Sequence, residues 1–314
     1  MLRAVDRVEV LTLQDNYINI TAADNSDMIT RARKLLKGVI GPSITAEHGF
    51  STVVTTSAGD VQRSLLFDFG LSSQGAAENA RTLGVDLSRI EAMALSHGHY
   101  DHFGGFDELA SRLGRPGIPL TVHPAAFRNP RYLKDQSGMK VPMPALSRER
   151  VERAGIKIQE TSKPLKILND TVLFLGEIER VADFEQGLPG AYYEENGVAH
   201  RDHHEDDTSI ALHLKGRGLV IVTGCAHAGI VNTVLYARKI TGIDKIHAVM
   251  GGFHLTGSMS DPLLPATTDA LKTLNPDYIA PCHCCSRDAQ AVLEREMPGR
   301  FILNMSGTRI RFVS

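Results

Sequence analysis

Apolar runs ended by a glycine-rich or polar turn recur along the chain, and three of them lead into a helical pattern. "IEAMALS" (90–96) reads as a buried strand, and the following "GGFDELASRLG" sets Phe106, Leu109 and Leu113 along one helical face. "GLVIVTG" (218–224) is a second buried strand, followed by "CAHAG" and the helix-like "IVNTVLYARKITG". "YIAP" (278–281) runs into "CHCC" and then into the helix-like "RDAQAVLEREM". Earlier, "STVVTTS" and "RSLLFDFG" read as strands joined through the polar "AGDVQ", which predicts a hairpin.

Residues 125–206 break this grammar. They are rich in Pro, Gly and charge, with only "IKIQE" and "TVLFLG" as short strand candidates. No composition break marks a separate domain and no internal repeat aligns. The expectation is one domain over 1–314 carrying an inserted region at about 125–206, either a solvated insertion or a lid. At 314 residues the chain is within the range of a single large α/β or two-sheet domain. Its 42% hydrophobic and 22% charged content suffices for a sizeable core.

Net charge is −2, which gives no reason to expect nucleic acid or an anionic membrane as partner. The opening "MLRAVDRVEVLTLQDN" lacks the apolar stretch of a signal peptide, and no apolar run nears the roughly 18 residues of a membrane span. A cytoplasmic protein acting on a small molecule is expected. Three of the four cysteines crowd into "PCHCCS" and the fourth is Cys225, a layout of free thiols or ligands rather than a disulfide framework.

The histidines follow the strands. His97, His99 and His102, then His227, then His283, each lie just past the carboxyl end of an apolar strand, where loops converge. In "HGHYDH" the alternation of His97 and His99 points both imidazoles to one side of an extended segment, so both can bind one ion. Asp101 and His102 sit just beyond and can reach a second. Such a pair of metals lowers the pKa of a bridging water towards neutrality and polarises the bond under attack. Two ions need about six protein ligands, and the motif supplies four; His227 and His283 are the candidates for the rest. A solvated histidine loop is the bland alternative, but the preceding buried strand and the following Gly-Gly and helix argue for a site.

"SHGHYDHFGG" resembles the signature of the metallo-β-lactamase superfamily, and the likeness extends over most of the chain. "LQDN" (13–16), "AEHGFS" (46–51), "TGCAHAGIVNT" (223–233), "MGGFHLTG" (250–257) and "PCHC" (281–284) resemble in particular its dihydropterin-methyl-ribofuranosylaminobenzene-phosphate synthase-like branch, also described as metal-dependent hydrolases of the β-lactamase superfamily II. The resemblance implies a four-layer αββα sandwich of two mixed sheets flanked by helices, with the metals at one edge. It implies that His97, His99, Asp101 and His102 bind metal, that His283 completes the second site, and that Asp15 buttresses a ligand. It also implies that His254 and His48 face the site, His254 as ligand or proton donor, and it brings Asn16 and Cys284 near the pocket through the matched strings. The chain departs from the superfamily pattern in two places. Where the usual middle histidine precedes "SIALHLKGRGLVIVTG" it has "RDHHEDDTS", and Cys225 replaces the usual bridging aspartate. His227 is therefore expected to supply the missing ligand, with Cys225 close to the metals.

His203 and His204 are expected to be solvated, and His123, His213 and His247, inside strand patterns, to be structural. "CHCC" is too tightly spaced for a zinc knuckle. There is no phosphate-binding G-x-x-x-x-G-K-[ST], no G-x-G-x-x-G after a strand and no G-x-S-x-G, which leaves the metals as the catalytic engine. The expected function is a hydrolase or transferase with two divalent ions, zinc above manganese or iron. It would use a metal-bound hydroxide, with Asp101 and His254 as catalytic groups, or metal activation of a phosphorylated leaving group. The branch implies the latter, the joining of a reduced pterin bearing a pyrophosphate to a ribosylated aminobenzene phosphate. Two alternatives stay open: an iron-dependent oxidative enzyme on the same scaffold, since His and carboxylate do not choose the metal, and a non-catalytic metal-binding protein. The segment 184–207, "FEQGLPGAYYEENGVAHRDHHEDD", is expected to close over the substrate and to offer the flat faces of Tyr192 and Tyr193.

Overall fold

A computed structural model describes residues 1–32, 35–36, 39–40, 43–135, 137–257 and 260–314. Two large sheets face each other. The first runs in the order Lys157–Glu160, Pro119–Val122, Ile90–Ala94, Val61–Phe67, Ser51–Ala58, Arg7–Gln14, Arg309–Val313 and Ile29–Thr30. Its first four strands are mutually parallel and the remaining pairings are antiparallel. The second runs Leu165–Ile167, Val172–Phe174, Ser209–Leu214, Gly218–Thr223, Ile246–Gly252 and Tyr278–Cys282, with the last three strands parallel. The short strand Ala4–Val5 joins it beside Ser209–Leu214.

Alternation along the strands divides the core into three layers. Leu65 and Phe67 point inwards with Val8, Val10 and Val54 to meet Ile210, Leu212, Val220, Val222 and Met250 of the other sheet. Leu66, Leu13 and Met93 point outwards onto Ala76, Ala80, Phe103, Phe106 and Leu109 of the helical segments Gly75–Thr82, Tyr100–Phe103 and Phe106–Arg112. On the far side Leu219, Ile221, Val249 and Ile279 pack on Val234, Leu271 and Leu293 of the helices Ile230–Thr241, Ser260–Leu274 and Arg287–Glu296. Helix, sheet, sheet, helix is the four-layer sandwich expected.

The expected hairpin forms between Ser51–Ala58 and Val61–Phe67, but pairing continues to Ala58 and Val61, so the turn is only Gly59 and Asp60. The strands are longer than "AGDVQ" suggested because Ala58 pairs with Val61 and Ser57 with Gln62 across the turn.

The region 125–206 is not one insertion. Lys157–Glu160 is the edge strand of the first sheet, and Leu165–Ile167 and Val172–Phe174 belong to the second. What remains is a separate antiparallel sheet of Lys140–Met143, Arg131–Lys134, Ala191–Glu195 and Val198–Arg201. Composition obscured this, because the core strands inside the region are only three or four residues long. Among the described residues no helix is long and apolar enough to cross a membrane.

Candidate metal centre

The rim where strands of both sheets end collects the histidines. Strand Ile90–Ala94 delivers "SHGH", Gly218–Thr223 delivers Cys225 and His227, and Tyr278–Cys282 delivers His283. Two groups of side chains form. In one, ligand atoms of His97, His99 and His227 lie within 4.8 Å of one another; in the other, those of Asp101, His102, Cys225 and His283 do so. His97 and His102 join the two, their ring centroids 4.2 Å apart.

Hydrogen bonds fix which nitrogen His97 and His102 turn to the centre. The backbone N–H and hydroxyl of Ser96 both donate to Asp68, so the Nδ1–H of His97, 2.9 Å from Ser96 Oγ, donates to that oxygen. His97 Nε2 is left buried with no partner. His102 Nδ1 donates to Asp68 Oδ2 at 2.7 Å, and its Nε2 lies 3.2 Å from Cys225 Sγ and 3.1 Å from His283 Nε2. Asp101 Oδ2 is 3.2 Å from His283 Nε2 and 3.6 Å from His102 Nε2. Both ring nitrogens of His227 are buried and unpartnered. Buried polar atoms left without partners are costly unless an ion or water takes them, so these donors fit cations.

Burial, and then the neighbouring imidazoles, hold His97 and His227 well below the ordinary histidine value. Burial also takes His283 and His254 down to about 4 and His99 to about 3. These rings are neutral and their lone pairs are available. His102 differs: burial opposes its charge, but Asp101 and Asp68 outweigh burial and raise it to about 9. Burial likewise opposes ionisation of Asp101, and His102 and His283 outweigh it, so that carboxyl sits below the usual carboxylate range. Burial, followed by the adjacent Cys284, pushes the Cys225 thiol up. A cation held by this group would have to displace protons from His102 and Cys225.

The other expected residues fall in distinct places. Buried Asp15, raised to about 6 by desolvation, accepts from the backbone N–H of His283 at 2.9 Å and from Asn304 at 2.8 Å. Asn16 donates to the carbonyl of His283. His254 stands beside His227, ring centroids 4.3 Å apart, and His48 stacks on His283 at 5.0 Å. Cys284, buried, donates to the carbonyl of Cys225. Tyr192 and Tyr193 lie in the small sheet with their rings already engaged, Tyr192 on Tyr132 and Lys134, Tyr193 on His200 and Arg128. Their flat faces are packing surfaces of that sheet, which corrects the expectation that they are offered to a substrate. His123, His213 and His247 do serve structural elements: His123 caps Pro124–Phe127, His213 sits in Ser209–Leu214 and His247 pairs with Asp277 at 2.8 Å.

The string "DHHEDD" is where sequence reasoning failed. His203 is exposed as expected, but His204 is buried, its Nε2 3.1 Å from His99 Nε2 and its ring stacked on His227 at 4.5 Å. Burial lowers it to about 3. Asp206 and Asp207 are buried too. Arg131 compensates Asp206, its guanidinium bidentate at 2.7 and 2.9 Å, and reaches Asp202 at 2.7 Å, while Asp207 accepts from the N–H of Ala228 at 2.9 Å. Asp206 in turn accepts from the N–H of Gly98, between the two motif histidines. A Cβ at Gly98 would lie 2.2 Å from the carbonyl of Ala126 and 2.7 Å from Arg131, so only glycine lets the metal loop rest on this ion cluster. Asp68 was missed as well; its one sequence signal was its place at the end of "LLFDFG".

Sheet order, helical layers and the ligand-rich edge define a class. The metallo-beta-lactamase superfamily model matches residues 44–283, and the chain belongs to that superfamily. Within it the chain is 29% identical over 298 residues to the 7,8-dihydropterin-6-methyl-4-(beta-D-ribofuranosyl)-aminobenzene-5'-phosphate synthase of Methanocaldococcus jannaschii, covering 94% of this chain and 99% of that one. It is 30% identical over 243 residues to an uncharacterised protein of the same archaeon, covering 76% and 84%. Among solved structures it resembles Tm1679, described as a metal-dependent hydrolase of the beta-lactamase superfamily, with a TM-score of 0.75, 25% identity and coverage of 98% and 100%. YhfI from Bacillus subtilis shares the fold, with a TM-score of 0.53, 12% identity and coverage of 98% and 100%.

Proposed function

We propose that the protein is a metal-dependent enzyme with a dinuclear centre, acting as a hydrolase or transferase on a small phosphorylated or pterin-like substrate. The observation that carries this is the pair of adjoining ligand groups with unpartnered imidazole nitrogens at one rim. One ion would be held by His97, His99 and His227, with His204 against them. The other would be held by Asp101, His102, Cys225 and His283. The thiolate of Cys225 favours zinc over harder ions. Divalent ions bound at these positions would supply Lewis acidity and lower the pKa of a bound water towards neutrality.

The chain's own residues do the rest. Asp68 holds His102 in the Nδ1–H tautomer, Ser96 does the same for His97, and Asp15 and Asn16 hold the backbone of His283. His254, half-buried beside His227, would handle a proton on the substrate. The name of the synthase relative supports a pterin and a phosphorylated aminobenzene ribofuranoside as the substrate class, and the likeness to a metal-dependent hydrolase supports hydrolysis on the same centre.

The test is turnover of a phosphodiester, and of a pterin pyrophosphate with the aminobenzene ribofuranoside phosphate, by metal-loaded and metal-stripped protein. Loaded protein is expected to turn over one of them, and Asp101→Asn to abolish that turnover with the circular-dichroism spectrum unchanged. Equal rates with and without metal would refute the reading.

A further inference from the structure

His48 is the one histidine of the rim whose side chain lies open, 62% exposed, although its backbone is pinned on both sides. The N–H of Glu47 donates to the carbonyl of Asp15, the carboxylate of Glu47 is held by Gln14 and Ser72, and the N–H of Phe50 donates to the carbonyl of Asp101. A Cβ on Gly49 would lie 2.5 Å from the backbone nitrogen of Leu71, so the turn carrying His48 is also pressed against its neighbour. Its ring covers one face of His283, yet most of the imidazole stays open on this firmly held turn.

Its orientation is set by Asn16. The amide nitrogen of Asn16 donates to the carbonyl of His283 at 2.7 Å, which fixes that amide's direction. The same nitrogen lies 3.1 Å from His48 Nδ1, so Nδ1 accepts. The neutral ring of His48 therefore carries its proton on Nε2. That Nε2 lies 3.5 Å from Asp101 Oδ2, beyond a good hydrogen bond, on the open side of the group formed by Asp101, His102, Cys225 and His283. An N–H donor thus opens beside the ligands, with no protein acceptor within a good hydrogen-bond distance among the described residues.

We propose that His48 is a substrate-binding residue, its Nε2–H donating to a phosphoryl oxygen of a ligand seated over the Asp101–His283 side of the centre, with Asn16 as its positioning residue. This rests on the reading of the rim as a metal centre for phosphorylated substrates. A hydrogen bond to a charged acceptor that is lost on truncation weakens binding by roughly tenfold or more.

The experiment is calorimetric titration of inorganic phosphate into metal-loaded protein, with metal content measured on each sample. His48→Ala is expected to bind phosphate roughly tenfold or more weakly than wild type at equal metal content, and His48→Gln, which keeps a donor, to recover most of the loss. On a phosphodiester the His48→Ala change is expected mainly in KM, with kcat moving less. Nitrogen chemical shifts of the zinc-loaded protein should place the His48 proton on Nε2, and Asn16→Ala should abolish that preference. Equal phosphate affinity for wild type and His48→Ala, or a proton found on Nδ1, overturns the role of His48 alone. Wild-type protein that holds full metal and takes no phosphate overturns this proposal and the phosphorylated substrate class together, while leaving the metal centre standing.

Discussion

Asp68 shows how much of the centre depends on residues that do not face it. It binds Ser96 through both the backbone N–H and the hydroxyl, and it accepts from His102, so a single carboxylate sets the rings of two histidines. Groups of this kind typically contribute roughly 10- to 100-fold to metal affinity. Asp68→Asn, which can no longer accept at both oxygens, is expected to lower affinity by about that factor, read by competition with a chromophoric chelator; unchanged affinity would show that His102 is held by packing alone. His97, His99, Asp101 and His102 were legible because a strand pattern ran straight into them. Asp68 and His204 were not. The partner of Asp68 is 34 residues away, His204 meets His99 across 105 residues, and Arg131 pairs with the neighbouring Asp206 across 75. A run such as "DHHEDD" reads as solvated until the cation that neutralises it is located. Arg131 sits in a charged, proline-rich stretch that gives no hint of being among the largest fully buried side chains.

The segment 184–207 is three pieces with three tasks. Glu185 accepts from the N–H groups of Val231 and Asn232 at the start of the helix Ile230–Thr241, Ala191–Glu195 and Val198–Arg201 form a hairpin, and Asp202–Asp207 lies under the metal loop. Shortening the whole segment therefore removes His204 and Asp206 and is expected to lower metal content, contrary to what a simple lid predicts. Replacing 194–199 by Asn-Gly, between the paired Tyr193 and His200, keeps the register and is expected to leave metal content at the wild-type level. Elemental analysis of the two variants separates the pieces; equal metal loss in both would contradict this division. Glu185 gives the segment a pH signature. Burial raises it to about 7 from an ordinary 4.5, against the pull of the helix N–H groups. A raised carboxyl binds its proton more tightly in the folded state, so its contribution is fully present below pH 4.5 and is lost as pH rises to about 7. Glu185→Gln lacks this loss. Its stability deficit relative to wild type is expected to narrow between pH 5 and 8 by about 2 kcal/mol, measured by urea unfolding. A deficit constant across that range would mean that Glu185 is charged throughout.

At the scale of the molecule, the sandwich was readable because its long strands are either continuously apolar or cleanly alternating, and the resemblance named the same four layers. The small sheet was not readable. Its strands carry Arg, Tyr, Lys and Glu on both faces, and their pairing joins residues about 60 positions apart, such as Arg131 with Tyr193. Charge and cysteine usage narrowed the possibilities without choosing among them. On the proposed reading, the two sheets end together at a rim that would hold two ions side by side. Anomalous diffraction at the zinc edge from crystals of zinc-loaded protein tests this most directly. The account predicts two peaks per chain, one among His97, His99 and His227 and one among Asp101, His102, Cys225 and His283; one peak, or a second peak away from Cys225 and His283, would contradict it.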